Sequence, residues 1–148
     1  LYSTWQGKIS DEVLKRLKPA IGINGGSAKA FVKTLKDIEI PWSAALEVFK
    51  EHTLPRFESM TITTYPKSEE LHPDAFGALV SLVFNRGSSL SGARRVEMAN
   101  IKKLIPSKNY TAIAHEIRKM KRLWIGAGVD GLLKRREDEA KLVESCAV

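Results

Sequence analysis

The stretch that decides the fold is GALVSLVFNRG, residues 77–87. It is apolar nearly all round, which is typical of a helix buried on every side. Pro73 and Asp74 precede it at positions that favour the first turn of a helix, and Gly87 stands where helices commonly end on a left-handed residue. We therefore predict one central, buried helix that ends just before Gly87.

Apolar stripes at helical spacing occur on both sides of this run. They comprise Val13, Leu14 and Leu17; Ala28, Phe31, Val32 and Leu35; Trp42, Ala45, Leu46 and Phe49; Met98, Ile101, Leu104 and Ile105; and Ile113, Ile117 and Met120. In the final helix we expect Leu133, Ala140 and Val143 to point inward and Arg135, Arg136, Glu137 and Lys141 outward. The β-like run at residues 61–65 is too short and isolated to imply a sheet. The patterns predict an all-α, orthogonal helical fold with residues 1–148 as a single domain.

Composition excludes several classes of protein. The chain has 148 residues, 43% of them hydrophobic, so it can bury a core without covalent staples. Its single cysteine, Cys146, cannot form an intramolecular disulfide, and we expect a bystander thiol on a frayed segment. No apolar run approaches the roughly 20 residues that span a bilayer, and the first residues lack the pattern of a signal peptide. The formal charge of +7 favours an anionic partner such as nucleic acid, an acidic lipid surface or the bacterial cell wall.

Further motifs accompany the central run in a recognisable order. They are LKPAIG at residues 17–22, IPW at 40–42, MKRLW at 120–124, and GLLKRRE at 131–137 followed by Glu139 and Ala140. Together with the central run, these segments resemble phage-type lysozymes (glycoside hydrolase family 24), and more closely the versions in pesticin-like bacterial toxins. The resemblance spans nearly the whole chain and implies a lysozyme-like arrangement of orthogonal helices.

The resemblance implies a muramidase, which hydrolyses the β-1,4 bond between N-acetylmuramic acid and N-acetylglucosamine. In the family a Glu, an Asp about nine residues later and a Thr about six residues beyond provide the acid and second carboxylate that a glycosidase needs. No Glu in this chain has an Asp nine positions later. Glu97 is expected to pair with a neighbouring Arg. We therefore expect that this chain contains no catalytic residue and that the family's catalytic N-terminal helix and hairpin are missing from it. We expect the chain alone to have no hydrolytic activity.

The resemblance also implies a substrate-binding set. By position in the motif, Phe84, Asn85 and Arg86 correspond to the end of the central helix that borders the sugar groove. An aromatic ring and an amide suit sugars, and a guanidinium can contact a muramyl carboxylate. Arg122 and Trp124 form a second candidate patch. Core packing is the alternative for Phe84 and for Trp124. No cofactor and no metal are expected.

The implied partner is the glycan strand of peptidoglycan, reached in the bacterial periplasm or cell wall after delivery or secretion. A phage endolysin, a bacteriolytic toxin or an effector fits, with the missing N-terminal segment and an immunity or inhibitor protein as further partners. Two alternatives remain: a non-catalytic lysozyme-like binding domain, and a basic helical nucleic-acid-binding module suggested by residues 102–103 and 134–136. Because the basic residues are scattered among acids, we expect no nucleic-acid partner. Because no apolar run is long enough to span a bilayer, we also expect no membrane insertion.

Overall fold

The computed structural model describes residues 1–147, and helices dominate it. Within those residues the only β pairing is an isolated bridge between Gln6 and Ile9, so the predicted all-α class is confirmed. The chain divides into two compact units, Leu1–Pro55 and Arg56–Val148, the second described up to Ala147. A single domain over residues 1–148 stays a prediction. None of the helices within residues 1–147 has both the length and the apolar composition needed to cross a bilayer.

The first unit consists of short helices. They are α1 (Tyr2–Trp5), α2 (Asp11–Leu17), α3 (Gly25–Val32) and α4 (Trp42–Val48), with a π-helical turn at Phe49–Thr53. The Ser10 hydroxyl caps α2 by accepting a hydrogen bond from the Val13 N–H at 3.3 Å. Arg16 then binds both carboxylate oxygens of Asp37, at 2.6 and 2.7 Å. Caps and surface ion pairs of this kind support helices too short to be stable alone.

The second unit contains the central helix and the main core. Its helices are α5 (Leu54–Thr64, of which the first two residues belong to the first unit), α6 (Pro73–Arg86), α7 (Val96–Leu104), α8 (Tyr110–Lys119) and α9 (Asp130–Glu144). Helix α6 packs on α9, and α8 packs on both α7 and α9. The fully buried apolar side chains include Leu79, Leu82, Val83, Met98, Ile101, Ile113, Ile117, Ala140 and Val143. The predicted stripes of α7 and α8 and two of the three residues predicted to point inward from α9, Ala140 and Val143, therefore lie in the same core as the buried face of α6.

The β-like run at residues 61–65 lies mostly in helix α5. Its threonine hydroxyls donate to carbonyl oxygens one turn back: Thr61 to Phe57 at 2.7 Å and Thr64 to Met60 at 2.7 Å. These bonds satisfy the polar side chains inside the helix, where Thr61 and Thr64 are buried. Packing of that face outweighs the intrinsic strand preference of threonine.

Three sequence expectations about burial were wrong. Helix α6 is not buried on every side, because Phe84 is 46% exposed and Gly77 is also exposed. Arg136, expected to point outward, is fully buried because its guanidinium binds the buried Glu139 carboxylate at 2.8 Å. Cys146 is buried against the main core instead of lying on a frayed segment.

Candidate functional site

The end of α6 is set by an unusual backbone conformation at Gly87. This residue has φ 74° and ψ −177°, a region that is essentially restricted to glycine, and its N–H donates to the Val83 carbonyl at 2.7 Å. The helix stops there, so the exposed Asn85 and the half-buried Arg86 occupy its last turn. The following loop brings Arg94 and Arg95 back to this end of the helix.

A cavity of about 330 Å³ lies at this helix end. Its lining residues are Asn85, Arg86, Arg94, Arg95, Trp124 and Leu132, and we call it the α6-end cavity. It brings together three of the five residues predicted from the sequence. Sequence reasoning missed Leu132 of α9 and also missed Arg94 and Arg95, because the path of the loop between Gly87 and α7 cannot be read from a helical pattern. The adjacent Arg94 and Arg95, directly before a helix, were the available signal.

Arg86 is the most constrained cation of the α6-end cavity. Its Nη2 donates to the Arg94 carbonyl oxygen, and its guanidinium carbon lies 5.0 Å from the Trp124 ring centroid, within cation–π range. Its Nε is buried and has no hydrogen-bond partner among the described residues. Burial, together with the nearby Arg95, Arg136 and Arg94 guanidinium groups, lowers the pKa of Arg86 to about 10.

The arginines that line the cavity form no ion pair with a carboxylate of the described residues, although Glu97 is near enough to raise the pKa of Arg86 slightly against the effect of burial. Within residues 1–147, none of the ion pairs involves Arg86, Arg94 or Arg95. Arg95 instead donates to the sulfur of Met98 at 3.2 Å. Three guanidinium groups beside an amide and an indole ring can bind an anionic ligand that also offers hydroxyls and an apolar face.

Arg122 lies outside the lining of this cavity. Its Nε donates to Glu97 Oε1 at 2.5 Å and its Nη2 donates to Glu97 Oε2 at 3.2 Å and to the Ala93 carbonyl at 2.9 Å. Burial would raise the pKa of Glu97, but the Arg122 guanidinium lowers it overall. Glu97 therefore pairs with an Arg, as expected, although the partner is 25 residues away instead of adjacent in the sequence.

Phe84 also lies apart from the lining of the α6-end cavity. Its ring meets the Phe57 ring edge-on with centroids 4.8 Å apart, and the Arg135 guanidinium carbon lies 5.8 Å from its centroid. Trp124 is half-buried and packs against the main core while it lines the cavity. Trp124 therefore both packs against the core and borders the cavity. Phe84 is exposed on one side of α6.

Glu139 is a buried carboxylate that lies between α6 and α9. Its Oε1 accepts hydrogen bonds from the Ser81 hydroxyl at 2.6 Å, from Arg136 Nη2 at 2.8 Å and from Arg135 Nε at 3.3 Å. Burial raises the pKa of Glu139, and these donors oppose the rise. It borders a second cavity of about 430 Å³ between α6 and α9. The contacts define an internal ion-pair network that joins two helices.

The basic run at residues 134–136 is neutralised within its own helix. Lys134 pairs with Asp138 at 2.5 Å, and Arg135 and Arg136 both pair with Glu139. A recognition helix for nucleic acid needs free cations on one exposed face. This stretch does not provide them.

The protein is all-helical, with a cavity at the end of its central helix that arginines and a tryptophan line. A family model described as phage lysozyme matches residues 14–139. The chain belongs to the phage lysozyme family. Comparisons with curated proteins and with solved structures found no match. Family membership makes the chain part of a group of glycoside hydrolases that act on peptidoglycan of the cell wall. A closer relation to pesticin-like toxins stays a prediction.

Proposed function

We propose that this chain forms the glycan-binding side of a muramidase that cleaves the β-1,4 bond between N-acetylmuramic acid and N-acetylglucosamine. The observation that carries the proposal is the α6-end cavity, where Asn85, Arg86 and Trp124 meet. The amide can bind sugar hydroxyls and the indole can contact a sugar face. Phe84 and Arg122 extend this set as flanking contacts.

The charge of the cavity favours peptidoglycan over a neutral polysaccharide. Each muramyl residue carries a lactyl group that ends in a carboxylate or a peptide. Arg86, Arg94 and Arg95 have no carboxylate partner of their own within the described residues, so a ligand carboxylate can bind without displacing an existing ion pair. The non-catalytic binding domain is the second candidate, because it uses the same cavity without hydrolysis.

In this proposal the catalytic acid comes from outside residues 1–148. Arg122 binds both carboxylate oxygens of Glu97, and Glu139 is a buried carboxylate whose Oε1 accepts from Arg135, Arg136 and Ser81, so we assign neither as the acid that protonates the leaving group. The expected N-terminal helix and hairpin carry the Glu, Asp and Thr of the family. A longer version of the protein that includes these three residues hydrolyses peptidoglycan. Delivery as an endolysin, toxin or effector, and inhibition by an immunity protein, belong to the same proposal.

Co-sedimentation with purified, insoluble peptidoglycan tests the binding part. We expect the wild-type chain to bind and Arg94→Gln to bind severalfold more weakly, because the lost guanidinium borders the cavity. Lys102→Gln is the matched control, since it makes the same change in net charge at an exposed position of α7 outside the cavity lining. Equal losses for both variants would indicate non-specific attraction and contradict the proposed site.

Release of reducing ends from the same peptidoglycan tests the catalytic part. We expect none above the blank for this chain, because a positioned acid is typically worth about 10²- to 10⁴-fold in rate. The contrary result would be that the wild-type chain hydrolyses peptidoglycan and that Glu139→Gln abolishes hydrolysis while peptidoglycan binding stays unchanged. This result would identify Glu139 as the catalytic acid.

A further inference from the structure

We propose that His72, Asp74 and Cys146 form a binding site for a zinc-like divalent cation. Their ligand atoms, the His72 Nδ1, an Asp74 carboxylate oxygen and the Cys146 Sγ, all lie within 4.8 Å of one another. The Cys146 Sγ is 3.3 Å from the His72 Nδ1, and the nearer Asp74 oxygen is 3.7 Å from that same nitrogen. A thiol, an imidazole and a carboxylate therefore lie close enough together to be ligands of one metal ion.

These separations are near those of tetrahedral coordination at the His72 Nδ1 and wider elsewhere. With metal bonds of about 2.0–2.1 Å to nitrogen or oxygen and about 2.3 Å to sulfur, ligand atoms around tetrahedral zinc are roughly 3.3–3.6 Å apart. The Cys146 Sγ is about 0.3 Å too close to the His72 Nδ1 for this geometry and the Asp74 oxygen about 0.3 Å too far from it, while the Asp74 oxygen and the Cys146 Sγ, within 4.8 Å of each other, need to approach to about 3.6 Å. Binding therefore requires the Asp74 carboxylate to rotate toward Cys146, and the His72 Nδ1 to exchange the Asp74 N–H, which it accepts at 3.3 Å, for the metal.

The fold holds two of the ligands in place through groups that are not ligands. The His72 backbone N–H donates to the Tyr110 hydroxyl at 3.0 Å, which ties the start of α6 to α8. The Cys146 Sγ lies 3.3 Å from the Leu142 carbonyl oxygen. The Cys146 backbone N–H donates to the Val143 carbonyl oxygen at 3.1 Å. Asp74 lies in the first turn of α6. All three ligands belong to the second compact unit.

The donor set has the chemistry of a zinc site. A soft thiolate and an imidazole select zinc-like ions over Mg²⁺ or Ca²⁺, and the thiolate and carboxylate together balance a divalent charge. As the metal–sulfur bond forms, the Cys146 thiol proton leaves to solvent. Because His72 and Asp74 are exposed, water from solvent can supply the fourth ligand. The metal would link the start of α6 to the segment after α9.

This site is independent of the proposed glycan site. The two lie at opposite ends of α6, and 14 helical residues span about 20 Å. Metal binding can therefore fail while glycan binding succeeds, or the reverse. The ligand spacing of two and then 72 residues matches no short metal motif, which is why the sequence predicted no metal.

Titration of the reduced chain with Co²⁺ tests the proposal directly. Cys146 is the only cysteine of the chain, so a thiolate-to-cobalt charge-transfer band can arise from that residue alone. We expect the band to saturate at one Co²⁺ per chain and to disappear when Zn²⁺ is added. The Tm should rise with free Zn²⁺, because the metal binds the folded state.

Three variants and one control assign the ligands. We expect Cys146→Ser to lose the band, and His72→Asn and Asp74→Asn to weaken Zn²⁺ binding by about tenfold or more, since even supporting groups are worth 10- to 100-fold. Asn at position 72 retains an acceptor for the Asp74 N–H, so the cap of α6 survives. His52→Asn, at an exposed histidine that also lies beside a carboxylate, should change nothing.

Either of two results would overturn the proposal. One is cobalt binding by the wild-type chain without a thiolate band, which needs no variant to fold. The other is Zn²⁺ affinity in Asp74→Asn and His72→Asn equal to that of His52→Asn.

Discussion

Asn85 and Asn109 both lie at helix ends, but their side chains have different surroundings. The Asn109 side chain accepts a hydrogen bond from the Ala112 N–H at 3.0 Å and caps α8. The Asn85 side chain is exposed, lines the α6-end cavity and makes no hydrogen bond within residues 1–147. The same residue type therefore has a structural role in one place and is available to a ligand in the other.

This contrast predicts opposite effects of the same substitution. Asn85→Ala should weaken peptidoglycan binding by about 2- to 10-fold, the value of a typical net hydrogen bond, and leave Tm nearly unchanged. Asn109→Ala should lower the free energy of unfolding by about 1 kcal/mol through loss of the cap and leave binding unchanged. Thermal unfolding and co-sedimentation of both variants measure this. A large loss of stability in Asn85→Ala, with binding retained, would make Asn85 a capping residue.

The Glu97–Arg122 pair predicts a pH dependence of stability. The folded-state pKa of Glu97 lies below the ordinary value of 4.5, so its ionised form stabilises the fold above that pH. This contribution is lost as the pH falls through the folded-state pKa. We expect wild type to exceed Glu97→Gln in free energy of unfolding at neutral pH, and the difference to shrink as the pH falls below 4.5. A difference that stays constant from neutral to strongly acidic pH would contradict the ion-pair assignment.

At the scale of elements, α6 is the helix that joins core and site. Its buried face carries Leu79, Leu82 and Val83, and its last turn carries Asn85 and Arg86. The central helix and its end were predictable, because an apolar run followed by glycine fixes both. The exposure of one flank was not predictable, because apolar residues such as Phe84 look the same in sequence on a covered and an uncovered face.

Two glycines of α6 predict opposite responses to alanine. Gly87→Ala should cost about 1–3 kcal/mol, because a Cβ is strained at φ 74° and ψ −177°. Gly77→Ala should gain about 0.5–1 kcal/mol, because Gly77 is helical and exposed and a Cβ there meets no atom within 4 Å. Chemical denaturation of both variants is the measurement. Shifts of the same sign would mean that α6 does not end where described.

Helix α9 illustrates why charge patterns in sequence mislead. The run at residues 134–136 is typical of a solvated face, yet Arg136 is buried and shares the Glu139 carboxylate with Arg135. The same carboxylate accepts a hydrogen bond from Ser81 of α6, which is more than fifty residues away. A sequence period of 3.6 residues shows which residues share one face of a helix, but it does not show which residues of other helices pack against that face.

At the scale of the whole molecule, net charge and local charge have different meanings. The formal charge of +7 is spread over 24 basic residues, and many of them form ion pairs. The cations of the α6-end cavity are distinguished by their proximity and by the lack of acidic partners. Composition therefore predicted an anionic partner, and the motif predicted the helix end. Only the loop path after Gly87 brings Arg94 and Arg95 into the site.

The central claim is that the α6-end cavity binds peptidoglycan glycan, and the chain's tryptophans allow a direct test. The chain has three, Trp5, Trp42 and Trp124, and Trp124 alone lines the cavity. Titration of the ¹⁵N-labelled chain with a soluble muramyl–glucosaminyl tetrasaccharide, followed by NMR of the indole N–H signals, reports on all three at once. We predict a saturable shift of the Trp124 signal that Arg94→Gln weakens, with Trp5 and Trp42 unmoved. A saturable shift of Trp5 or Trp42 while Trp124 stays fixed would contradict the account.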